Sequence, residues 1–94
     1  MKMASVVITL RIMPNSPQTD LHSIEAKAKE RIMAFTGKDE FRVETQPVAF
    51  GLNSLIITFV TPEEKGSTEE VEKQIAQIEG VSSAEVTDAR RSIG

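Results

Sequence analysis

Residues 52–60, LNSLIITFV, have apolar side chains on both faces of what reads as a strand: Leu55, Ile57 and Phe59 on one side, Ile56, Thr58 and Val60 on the other. A strand that buries one face alternates apolar with polar, so two-sided character places this segment inside a sheet rather than at its edge. A central strand needs neighbours on both sides and a covering layer, and the flanking sequence supplies them.

Immediately upstream, Phe41, Val43 and Thr45 alternate with Arg42, Glu44 and Gln46, which reads as a one-sided strand. It runs into QPVAFG (46–51), where Pro47 and Gly51 frame an apolar strand end and Gly51 allows a sharp bend before the next strand. On this local pattern Phe50 reads as a core residue, with display to a partner as the open alternative. Further back, Val6, Ile8, Leu10 and Ile12 recur at period two, with Val7, Thr9 and Arg11 as a mixed second face, and predict a second strongly apolar strand. PNSPQTD (14–20) gathers helix and strand breakers and is expected to be loop, with Asp20 capping a helix whose apolar residues are Leu21, Ile24, Ala28, Ile32 and Phe35. Gly37 is placed to stop that helix.

Downstream, TPEEKGST (61–68) is another breaker cluster, and Ser67 with Glu70 has the spacing of a capping box. Val71, Ile75 and Ile78 mark a second amphipathic helix, with Gly80 as its left-handed terminator. SSAEVTDARR (82–91) is expected to be a short polar edge strand. The order strand, helix, strand, strand, helix, strand predicts an α+β fold, the ferredoxin-like βαββαβ sandwich, in which a four-stranded antiparallel sheet carries two helices on one face. In that topology the first and third strands are central, and they are the two most apolar here.

Composition narrows the function. The 94 residues suit one compact domain, and 11 Lys and Arg against 14 Asp and Glu give a formal charge of −3, which disfavours bulk binding of nucleic acid. With no cysteine, disulfides, thiolate metal sites and cysteine nucleophiles are excluded. No apolar run approaches the roughly 20 residues that span a bilayer. The opening MKMASVVITLRI resembles a secretory leader until Thr9 and Arg11 interrupt it, so a cytoplasmic protein is expected. His22 stands alone and reads as a surface residue; Glu63 and Glu64 are adjacent in a loop and read as solvating it. The glycines stand singly, so no phosphate-cradling loop is present, and four Phe without Tyr or Trp give no base-stacking sheet motif. These observations point to a non-enzyme without cofactor or metal. Two features remain: the PVAFGL turn (47–52) and the terminal pair Arg90 and Arg91, which by itself reads as solvated charge.

Taken in order, ITLRIMPNSPQTDL (8–21), QPVAFGLNSLIITFV (46–60) and IEGVSSAEVTDARR (78–91) resemble the archaeal translation elongation factor 1-beta family over nearly the whole chain. The resemblance implies the same ferredoxin-like fold and an activity that patterning does not supply: promotion of GDP release and GTP loading on the GTPase elongation factor 1-alpha. It implies contact with that partner in its GDP-bound and nucleotide-free forms, without direct nucleic acid or membrane. In eukaryotic relatives a lysine near the C-terminus reaches toward the Mg²⁺ site of the GTPase; Arg91 falls at that place with Arg90 beside it, and arginine is planar and larger than lysine. The aromatic of the matching Pro-x-x-Phe-Gly turn contacts the GTPase, which implies an exposed, partner-facing Phe50 beside Gly51. The sequence has no N-terminal extension like those that bind further subunits, so residues 1–94 are expected to be a free-standing exchange domain, monomeric when free. The alternative is a ferredoxin-like regulatory module that binds a small ligand or self-associates through its sheet.

Overall fold

The computed structural model describes the backbone of residues 4–93 and the side chains from Ala4 to Arg91. Its elements are β1 (Ala4–Pro14), α1 (Leu21–Thr36), β2 (Phe41–Pro47), β3 (Asn53–Pro62), α2 (Glu69–Ala76) and β4 (Val81–Ile93). The strands form one sheet in the order β2-β3-β1-β4, each neighbouring pair antiparallel. This is the expected ferredoxin-like arrangement, with β1 and β3 at the centre. Among the described residues no helix is long and apolar enough to cross a membrane.

The core follows from register. Ile8, Leu10 and Ile12 of β1 lie opposite Phe59, Ile57 and Leu55 of β3, so six apolar side chains face the helices together. Ile24, Ala28 and Ile32 of α1 and Val71 and Ile75 of α2, with Ile78 just beyond it, close over them. Burying each large apolar side chain contributes about 1.5–3 kcal/mol relative to exposure, so this shared layer of strand and helix residues is the main stabilising element. α1 begins as expected: the Asp20 carboxylate accepts from the N–H groups of His22 (3.0 Å) and Ser23 (3.4 Å). It ends at Gly37, whose left-handed backbone (φ 77°) lets its N–H reach Met33 O at 2.7 Å.

Four local expectations are corrected. Pro14 is the last residue of β1, a position that suits a residue without an N–H, and the loop starts at Asn15. The helix expected to start with a Ser67–Glu70 capping box starts at Glu69 with Thr68 at its N-cap, and Ser67 Oγ accepts from Glu69 N–H (3.1 Å). Gly80 does not terminate α2, which ends at Ala76; it lies in the following turn (φ 94°), where its carbonyl accepts from Asn15 N–H at 2.9 Å. A Cβ at Gly80 would stand 2.9 Å from Thr19 Cγ2, so the Thr19 side chain would have to shift, and the left-handed backbone adds strain to any replacement. Finally, β4 is an edge strand but not a short one: at 13 residues it pairs with the full length of β1.

Candidate functional site

The turn between β2 and β3 is compact. Val48 N–H donates to Leu52 O (2.8 Å) and Leu52 N–H to Ala49 O (3.3 Å), leaving Ala49, Phe50 and Gly51 at the tip. Two consecutive left-handed residues make the reversal, Phe50 (φ 64°, ψ 28°) and Gly51 (φ 76°). Glycine adopts this region freely, whereas a bulky residue there is uncommon, at a cost of about 1–2 kcal/mol. Phe50 is 93% exposed. The core reading from the local pattern is therefore overturned, because the left-handed backbone turns the ring away from the strand face that the pattern assumed it shared.

At the other end of the sheet the two arginines separate. β4 pairs Val86 with Leu10 and Asp88 with Thr9, so Thr87 is an extra residue, a β-bulge. A bulge inverts the alternation beyond it. Ala89 and Arg91 consequently lie opposite Ile8 and Val6, on the helix-covered side, while Asp88 and Arg90 lie opposite Thr9 and Val7, on the open face. Arg90 Nε donates to Asp88 Oδ2 (2.9 Å) on its own strand. Arg91 instead pairs with Glu63 Oε2 (3.0 Å), in the 3₁₀ turn that follows β3. Glu63, expected only to solvate its loop, thus belongs to the arginine site. Twenty-eight positions separate it from Arg91, and no sequence pattern links them. The bulge did leave a trace: Val86 and Ala89 both face the helices although an odd number of positions separates them.

The structure does not bring the four sequence-predicted residues together. Val6, beside Arg91, and Ile12, beside Leu55, are six residues apart on β1, about 20 Å at ~3.3 Å per residue, and the hairpin tip projects further still. Phe50 and Gly51 form one pole, Arg90 and Arg91 the other, along a molecule whose longest dimension is 47 Å. Between them runs the open sheet face, with Val7, Thr9, Ile56, Thr58 and Val60 flanked by an Arg11–Glu85 ion pair (2.7 Å). His22 is exposed on α1. Such an arrangement can hold a partner at two separated points.

Residues 7–91 match the model of the EF-1 guanine nucleotide exchange domain. The chain is 40% identical over 89 residues to elongation factor 1-beta of Methanothermobacter thermautotrophicus, covering 95% of this chain and 98% of that one. It is 40% identical over 90 residues to the protein of that name from Methanobrevibacter smithii, with 95% and 98% covered. It is 35% identical over 89 residues to that from Halobacterium salinarum, with 95% and 99% covered.

Proposed function

This chain belongs to the EF-1 guanine nucleotide exchange domain family and is an exchange factor for elongation factor 1-alpha in translation elongation, and from that premise we propose that it engages the GTPase at two points. Phe50, released by the turn at Gly51, is the apolar anchor. Arg91, with Arg90 on the other face of the same strand, is the cationic end that reaches the nucleotide and Mg²⁺ region. Residues 1–94 work as one domain, monomeric when free and cytoplasmic, without membrane, nucleic acid or cofactor.

Exchange requires no bond to be made or broken in the protein. A factor that binds the nucleotide-free GTPase more tightly than its GDP form must, by reciprocity, weaken GDP binding by the same ratio. The two poles divide that task. An anchor that contacts both nucleotide states equally lengthens the encounter but shifts nothing, whereas a cation near the phosphates and Mg²⁺ makes a contact that differs between states. The observation that carries this reading is Phe50, a 93% exposed aromatic held in a left-handed conformation at a hairpin tip. Neither burial nor backbone preference accounts for it, and aromatic residues of this kind are the usual anchors of interfaces.

Stopped-flow release of a fluorescent GDP analogue from the cognate elongation factor 1-alpha tests the reading. A saturating excess of the factor is expected to accelerate release; no acceleration would exclude it. Size exclusion of the free factor is expected to give a monomer, and a stable homodimer that ignores the GTPase would favour self-association through the sheet.

A further inference from the structure

The two arginines of β4 differ in what holds them. Asp88, the acidic partner of Arg90, lies two residues away on the same strand and moves with it. Glu63, the partner of Arg91, belongs to another part of the chain, so the ion pair ties the end of β4 to the turn after β3. That turn is firm. Pro62 enters it at φ −61° while still paired with Ser5 of β1, and Gly66 N–H closes it on Glu63 O at 3.1 Å. One row inward, the buried Thr61 lies opposite Val6, the same residue that Arg91 faces from the other side. The Glu63 carboxylate therefore stands on backbone fixed by the sheet before it and by the turn after it.

Strand pairing fixes the backbone of Arg91 but not its guanidinium, which hangs on a long flexible stem. The side chain is 68% exposed, so packing restrains it little. An arginine free to turn loses rotamer entropy when a partner fixes it, and a restraint already in place reduces that loss. Glu63 supplies the restraint without using up the group. Its Oε2 meets Nη2 at 3.0 Å, and a guanidinium carries several N–H donors in one plane, so a free edge can bind a second acceptor while the first is kept. The carboxylate side chain is itself 44% exposed, which lets solvent screen the pair: it favours one arrangement and does not lock it.

We infer that Glu63 is a positioning residue of nucleotide exchange: its carboxylate pre-orients the Arg91 guanidinium, which meets the anionic groups around the nucleotide of the GTPase while still held. The inference rests on the proposed role of Arg91. Glu63→Gln keeps the shape of the side chain and removes its charge. It is expected to lower the maximal rate of GDP release about threefold, the scale of an exposed ion pair, and to leave the half-saturating concentration unchanged, because the Phe50 anchor lies at the opposite pole. Its Tm should match that of the unmodified protein, since the pair is exposed.

Two further variants separate positioning from other effects. Glu64→Gln makes the same change of charge one residue along, in a side chain outside the Arg91 ion pair, and is expected to exchange at the starting rate. In an Arg91→Ala background, Glu63→Gln is expected to change nothing further, because no guanidinium is left to orient. A Glu63→Gln rate equal to that of the unmodified protein would overturn the inference, and so would a faster one, which would make Glu63 a restraint on Arg91 instead of its guide. An equal loss in Glu64→Gln would reduce the effect to net charge, and a loss that persists without Arg91 would give Glu63 a contact of its own; either result overturns it. If Arg91→Ala itself exchanges at the full rate, the proposed role of Arg91 fails and the inference falls with it.

Discussion

The two poles present exposed side chains by opposite means. At the β2–β3 tip, five consecutive residues, Val48 to Leu52, close the turn by their own backbone hydrogen bonds, and Phe50 is aimed by local conformation alone. At the far end Arg91 is aimed by separate parts of the chain: its pairing with β1 beyond the β4 bulge, and the Glu63 ion pair from the β3–α2 turn. The first is a self-contained device; the second is a property of the assembled fold. Substitutions far along the chain should consequently leave the aromatic pole intact and disturb the cationic one.

The largest effect that would break this division is expected at the tip. Phe50→Ala removes an exposed anchor without touching the core, so complex formation with elongation factor 1-alpha should weaken by about 2 kcal/mol, roughly 30-fold in Kd, by isothermal titration. Its thermal stability should hardly change. Unaltered affinity would remove Phe50 from the interface. Next in size is Arg91→Ala, expected to lower the maximal GDP-release rate about tenfold, equivalent to about 1.4 kcal/mol, with the affinity nearly retained. If rate and affinity fall together, Arg91 is an anchor like Phe50 and the two poles do the same work. Arg90→Ala, on the open face, should change the rate less than Arg91→Ala.

What the sequence discloses divides along the same line. Period-two and helical spacing identified β1, β2, β3, α1 and α2, and the two-sided LNSLIITFV segment placed β3 at the centre, because burial repeats with the geometry of the element; β4, read as a short polar strand, carries no such period. The Asp20 cap and the Gly37 stop were equally legible, each a local contact within four residues. Patterning misread Phe50 because alternation presumes a continuing strand, and the backbone left that path at Val48. It could not foresee the Glu63–Arg91 and Glu72–Val86 contacts, which exist only once β4 has paired with β1 and α2 has packed beside it. It also treated Arg90 and Arg91 as one basic pair, whereas adjacent residues on a strand point to opposite faces.

The smallest effect sharpens the comparison most, since its sign separates function from stability at a single residue. Phe50 sits at φ 64°, and its ring is 93% exposed, so replacing it forfeits almost no packing. Glycine at this position would relieve about 1–2 kcal/mol of left-handed strain and would lose about 0.5–1 kcal/mol to the greater freedom of the unfolded chain. Phe50→Gly should therefore raise stability by roughly 0.5 kcal/mol, a rise of about 2–4 °C in Tm for a domain of this size by differential scanning calorimetry. The same variant should bind the GTPase as poorly as Phe50→Ala. A gain in stability with a loss of binding means that the ring is kept at the tip against the preference of the backbone. A fall in Tm would instead return Phe50 to a structural role and leave Arg91 as the one exposed side chain whose placement serves exchange.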